Sequence, residues 1–338
     1  MLSIEILLVP LFINDNDSHL ELSLYSLIRK VVGMTYSDSF KKGIVSIGML
    51  MALFSQPVLA GDGLFGWIYT LDLQPKGKWE FEQRLQLNKQ QAAGTYDSWF
   101  SRSEIEYGLT NDLQVAAYLN SYYVSANQNY TNQDACEGEP SCTGGYPVPS
   151  SHDPASAYRK SGIEGASLEA IYRFTNPVTS PVGVGVYFEP TIGKNKNELA
   201  ARLLLQSNFL DDQLVLAGNV VVANERLKFI DNGNVPESML DFLVGASYRF
   251  APKWRAGVEA RFHNDYSELN LRNQIQRATF VGPNLQYATK DWWATIAWRY
   301  QLKGGNCMGG GEAECSNGRV WDSHSLNEFM FKLGIPLN

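Results

Sequence analysis

The chain is predicted to be all-β: a single transmembrane antiparallel β-barrel of about twelve strands, with long loops at one end and short periplasmic turns at the other. Three observations predict it. Residues 103–124 (SEIEYGLTNDLQVAAYLNSYYV) are two alternating runs around a polar turn. Ile105, Tyr107 and Leu109 share one face, and after Thr110-Asn111-Asp112 that face is resumed by Leu113, Val115, Ala117 and Leu119. That is the period of two of a strand apolar on one side. Each arm runs to about ten residues, the length a tilted strand needs to cross a bilayer. The pattern then repeats along the chain, and no apolar run approaches the roughly 18 residues of a helical span.

The amino terminus is read first. Residues 40–60 (FKKGIVSIGMLMALFSQPVLA) place Lys41 and Lys42 before an apolar core and end it on Val58-Leu59-Ala60, the order of a signal peptide with its cleavage site. The expected organisation is an upstream extension 1–33, a signal peptide 34–60, an aromatic lead-in 61–77 and a barrel 78–338. The lead-in, GDGLFGWIYTLDLQP and the residues after it, has no clear period; it could line the inner rim or enter the barrel. Loss of residues 1–60 removes four of 28 basic and five of 35 acidic groups, leaving 24 against 30, a net charge of −6. An exported acidic chain without a basic block excludes nucleic acid as a partner.

From Lys78 the alternation is continuous. Trp79, Phe81, Leu85 and Leu87 oppose Glu80, Glu82, Arg84 and Gln86 in the first strand. A short loop near 92–97 leads into the hairpin above. Residues 125–162 form the longest irregular stretch, and a loop of that length suits an outer-membrane barrel better than a compact soluble domain. Strands around residues 166–174, 182–189 and 199–206 follow. The run 214–229 is the least regular, since Val220 to Val222 is apolar on both faces. Phe242 and Val244 face outward in the next strand. Residues 254–262 are a further strand, 263–276 an outer loop and 279–287 a strand. Trp298 marks the outward face of the strand after it, and the chain closes on Phe329, Phe331, Leu333 and Ile335.

If the apolar faces meet lipid, the opposite faces line the pore. They carry Glu80, Glu82, Arg84, Arg102, Glu104, Glu106, Glu169, Arg173, Glu189, Arg202, Asp241, Arg249, Arg255, Glu259, Arg261 and Arg299. The two signs balance, so no strong single-sign field is expected. The reading favoured is a water-filled lumen, a narrow channel for small hydrophilic solutes or ions in which Arg84→Ala alters ion selectivity and leaves the unfolding midpoint almost unchanged. A filled lumen would make the same groups a structural ion-pair network. In the first case each pair contributes about 0 to 1 kcal/mol, and in the second the loss of one partner costs about 3 to 5 kcal/mol.

The four cysteines form two local pairs, Cys136 with Cys142 and Cys307 with Cys315, each in a Gly-rich stretch. In an oxidising compartment these are expected to be loop disulfides. The clipped loops suggest an alternative function as a plugged structural or surface-binding barrel. A second alternative, an outer-membrane hydrolase, would need Ser and His together on the lipid-facing side; the candidates are His263 with Ser267, and His324 with Ser323 or Ser325. No His-x-Ser-Asn-Gly run is present, so no catalytic residue is assigned. No cofactor or metal is called for.

Signal peptide, alternating strands, inner turns such as Thr110-Asn111-Asp112 and a terminal Phe-x-Phe-x-Leu strand together resemble the porin-like outer-membrane barrels of Gram-negative bacteria. The lead-in GLFGWIYTLDLQPKGKWEFEQ is similar to an exported barrel family of unknown function. The terminal run departs from the usual insertion signal by ending in Pro336-Leu337-Asn338. The resemblance implies residence in the cell outer membrane, contact with its lipid, passage through the barrel-insertion machinery and transport of small hydrophilic solutes.

Overall fold

The computed structural model describes residues 62–130, 144–149, 151–229, 234–305, 315–321 and 324–337. The upstream extension 1–33, the signal peptide 34–60, Cys136, Cys142, Cys307 and Ser323 lie outside the described residues. The chain forms β1 (Trp79–Lys89), β2 (Thr95–Gly108), β3 (Leu113–Asn127), β4 (Ala157–Thr175), β5 (Gly183–Gly193), β6 (Lys196–Phe209) and β7 (Leu214–Leu227). It continues with β8 (Val235–Ala251), β9 (Trp254–Glu268), β10 (Arg272–Ala288), β11 (Trp293–Gly305), the short β12 (Cys315–Ser316) and β13 (Arg319–Val320), and β14 (Asn327–Leu337).

Twelve of these, β1 to β11 and β14, close into one antiparallel barrel. Closure joins β1 to β14 over their whole length, from Trp79 opposite Leu337 to Lys89 opposite Asn327. A barrel is the one sheet architecture that leaves no unpaired edge in hydrocarbon, where an unsatisfied backbone group costs several kcal/mol. Side chains alternate along each strand, interrupted by register shifts such as those at Asn120/Ser121 and Thr279/Phe280. In β3, Gln114, Ala116, Tyr118 and Asn120 are buried, while Leu113, Val115, Ala117 and Leu119 face out. Phe242, Val244, Trp298 and Phe331 are likewise exposed on the outer face. No helix among the described residues is long and apolar enough to cross a membrane. The chain is therefore a transmembrane barrel of the outer-membrane type, apolar outside and polar inside.

Aromatic pairs ring the end with the short turns: Trp79 with Tyr107 (ring centroids 4.3 Å apart), Tyr172 with Phe174 (5.0 Å) and Trp254 with Tyr287 (4.7 Å). Such girdles mark the level of the membrane interface. At the other end the structure shortens one expected loop. β9 and β10 extend past the apolar band, so only residues 269–271 connect them and His263 lies inside β9. The expectation of a loop over 263–276 came from the polarity of the stretch; polar residues there pair as a ladder that runs on beyond the membrane.

Candidate functional site

The lumen is not empty. The lead-in enters it and crosses from β11 to the β2–β3 turn before turning into β1. A segment so placed cannot join a ladder, so its backbone polar groups need other partners. Inward-facing side chains supply them. Glu259 on β9 accepts the amide hydrogens of Gly66 (2.6 Å) and Trp67 (2.9 Å). Asn219 on β7 accepts the amide of Tyr69 (2.8 Å) and donates to its carbonyl (2.9 Å), imitating a strand neighbour. Gln206 on β6 and Gln114 on β3 accept the amides of Leu71 (2.6 Å) and Gln74 (2.7 Å). Arg173 donates to the Leu71 carbonyl (2.9 Å).

Apolar packing completes the docking. Leu64, Phe65 and Ile68 lie on Val215, Ala217, Val221 and Leu243. Tyr69 and Leu71 lie on Ile171, Tyr187 and Leu204. Two wall glycines make room: a Cβ on Gly185 would stand 2.5 Å from Leu71 Cδ2, and one on Gly245 would stand 2.6 Å from Ile68 Cδ1. We call residues 63–75 the strap.

Between the strap and the loop end lies a cavity of about 360 Å³. One wall is a layered charge network. Across β1 and β2 the directly opposite residues carry like charges, Glu80 with Glu106, Glu82 with Glu104 and Arg84 with Arg102. Like charges directly opposite repel. Attraction runs diagonally and along the strand instead: Arg84 pairs with Glu82 and reaches Glu104 at 3.2 Å, and Lys332 of β14 reaches Glu82 at 3.4 Å. Arg102 pairs with Glu189 on β5, and Tyr118 donates to Glu169. The arginines also cap the strap. Arg84 stands over the Tyr69 ring at 4.9 Å, Arg202 over Tyr69 at 4.6 Å and Tyr187 at 4.9 Å, and Arg299 over Trp67 at 4.1 Å. Each is a cation–π contact in a desolvated setting.

The opposite wall carries a second cluster near the loop end. Arg261, His263 and Asp265 alternate inward along β9. Arg261 pairs with Asp241 of β8 (2.5 Å), whose other oxygen meets His263 Nδ1 (2.7 Å). His263 Nε2 meets Asp265 (2.6 Å), and His324, from the connection before β14, meets the same oxygen with its Nε2 (3.2 Å).

Two comparisons with known proteins bear on this geometry. Residues 57–337 match the family described as a family of unknown function (DUF6662), a span that includes the strap and the whole barrel. The chain belongs to this family. No curated protein sequence matches it. Among solved structures, the DUF6662 chain is similar to the COG4313 outer membrane channel from Pseudomonas putida F1 (TM-score 0.52, 10% identity, covering 78% of this chain and 97% of that one). It also matches the NanC porin (0.46, 11%, covering 76% and 100%) and the KdgM porin (0.43, 10%, covering 77% and 99%). At these identities the likeness is one of fold.

The DUF6662 barrel places the sequence-predicted residues in three groups. Glu80, Glu82, Arg84, Arg102, Glu104, Glu106, Glu169, Glu189 and Arg202 are gathered beside and above the strap. Glu259 holds the strap, and Asp241, Arg261 and Arg299 join the second cluster, Arg299 through an ion pair to Glu328. Arg173, Arg249 and Arg255 instead sit at the short-turn rim, donating to the backbone carbonyls of Asn111, Asp211 and Asp212. Among the described residues, the two candidate histidines do not stand on the lipid-facing side. His263 and His324 are buried inside the barrel and face carboxylates, because β9 extends far enough to turn its polar end inward.

Sequence reasoning left the lead-in open between the inner rim and the barrel interior, and two signals could have decided for the interior. The inner face of β7 carries Val215 and Val221 where a wet pore would carry polar groups. Neutral amides at inner positions 114, 206 and 219 match the backbone of a guest chain better than they match ions.

Proposed function

We propose that this protein is an outer-membrane channel for small hydrophilic solutes or ions, whose passage is controlled by the strap. The observation that carries this reading is the charge-lined cavity of about 360 Å³, closed toward the short turns by residues of the chain's own lead-in. A closed barrel with a polar interior and an apolar exterior supports a conduit, and the similar COG4313 protein is named as an outer membrane channel. The cavity presents paired charges of both signs, which favours neutral or zwitterionic polar solutes over a strong ion preference. Among the described residues Arg202 stacks on two tyrosines without a carboxylate in ion-pair range, and is the one wall cation free to meet a solute anion.

A specific observation favours a second reading, a plugged structural barrel. Each strap amide at 66, 67, 69, 71 and 74 is already satisfied by a wall side chain. Single-channel recording of the purified mature barrel in planar bilayers separates the two. Discrete openings, lengthened by deletion of residues 62–74, establish the channel; silence of both proteins establishes the plugged barrel.

A further inference from the structure

We propose that His263, Asp265 and His324 form a binding site for one divalent transition-metal ion of the zinc class, which ties the connection before β14 to the barrel wall. His263 Nε2, His324 Nε2 and Asp265 Oδ2 converge, all within 4.8 Å of one another. All three side chains are buried, so the donors need little desolvation on binding. Two imidazole nitrogens and one carboxylate oxygen, with a fourth position for water, are a donor set suited to zinc at about 2.0–2.2 Å.

The surroundings fit a site better than an accident of packing. Both ring nitrogens of His263 face carboxylates, Nδ1 toward Asp241 Oδ1 (2.7 Å), with Arg261 Nη2 also 2.8 Å from it, and Nε2 toward Asp265 Oδ2 (2.6 Å), so a bound cation would take the place of the Nε2 proton while Nδ1 stays against Asp241. A carboxylate behind a ligating histidine fixes its tautomer and raises its basicity. Arg261 pairs with Asp241 through the remaining oxygen (2.5 Å), which neutralises that second carboxylate and leaves Asp265 as the site's own negative charge. Gln276 donates to Asp265 (3.0 Å) and steadies it. The two imidazoles meet edge to face at 4.4 Å, with Phe280 6.0 Å from the His324 ring as an apolar wall.

The topology gives the ion a mechanical consequence. His263 and Asp265 stand on a barrel strand, whereas His324 belongs to the connection between β11 and β14. Metal binding would therefore hold the His324 end of that connection against the inner face of β9, and this inference does not depend on what the channel carries.

Zinc chloride titrated into the folded mature barrel in detergent, followed by calorimetry, tests it, with cobalt(II) as an optical probe. One ion per chain is expected, with the visible absorption of four-coordinate cobalt. His263→Gln and His324→Gln should each weaken binding at least tenfold, and Asp241→Asn by about 10- to 100-fold. His152→Ala, in an exposed loop, should leave it unchanged. Unboiled gel migration confirms that each variant is folded. Should a variant fail to fold, the wild-type protein still decides: zinc must protect both His263 and His324 from acylation by diethyl pyrocarbonate. No zinc uptake by the folded wild type, affinity unchanged in both histidine variants, or unprotected histidines in the presence of zinc would each overturn the proposal.

Discussion

Asn219→Ala is the sharpest test of the strap. Its side chain accepts from the Tyr69 amide and donates to the Tyr69 carbonyl, at 2.8 and 2.9 Å, in a place only 2% exposed. Alanine leaves both backbone groups unpartnered while the strap stays docked. Each such buried group costs about 1–3 kcal/mol, or about 2–6 kcal/mol for the pair. Undocking into water relieves the cost, so the docked state alone is penalised. At one decade per 1.4 kcal/mol, even the lower bound raises the ratio of undocked to docked strap by about 25-fold. The strand ladder through Asn219, paired with Leu204 and Leu243, uses only backbone and is untouched. Single-channel recording should show the larger conductance level occupied far longer than in wild type, with unboiled gel migration unchanged. Openings indistinguishable from wild type in a folded variant would refute strap control. So would a larger level equally frequent in the wild-type protein.

Three further outcomes are expected. The water-filled reading of the sequence expects Arg84→Ala to leave stability almost unchanged, but the structure buries this part of the network beside the strap, below the cavity: Glu82 and Glu104 have no exposed side-chain surface, so the loss of Arg84 should lower the unfolding free energy by about 3–5 kcal/mol, less whatever Lys332 restores, in a channel as in a plugged barrel; a denaturant midpoint equal to wild type would show that water screens these pairs. Burial pushes the Asp72 carboxyl up to about 6, against the hydrogen bond from Gln206 and the charge of Arg255, with Asp212 adding to the rise. A docked strap thus binds the proton more tightly than a free one, so docking strengthens as pH falls from about 6 toward 4 and is weaker, and constant, above 6. Openings should be rarer at pH 5 than at pH 7.5, and Asp72→Asn should remove that difference; a pH response unaltered in Asp72→Asn assigns it to other groups. Mass spectrometry of non-reduced peptides should find Cys136 linked to Cys142 and Cys307 to Cys315. A link from Cys315 to Cys136 or Cys142 would show that the two long loops are joined.

What the sequence determined by itself is the barrel. Period-two alternation is a local property, and a strand that must be apolar on one side and polar on the other declares itself residue by residue, as Leu113 to Asn120 do. The inward positions of Glu80, Glu82, Arg84 and their partners followed from the same parity. What occupies the lumen was decided only in three dimensions. Residues 63–75 have no period because their partners are spread around the wall: Glu259, Asn219, Gln206 and Gln114 lie 193, 150, 135 and 40 positions from the amides they accept. The meeting of His324 with His263 and Asp265 depends on the same closure, since β11 and β14 pair directly and His324, just before β14, reaches across to β9. Parity says which side of the wall a residue faces; only the closed sheet says what stands across from it.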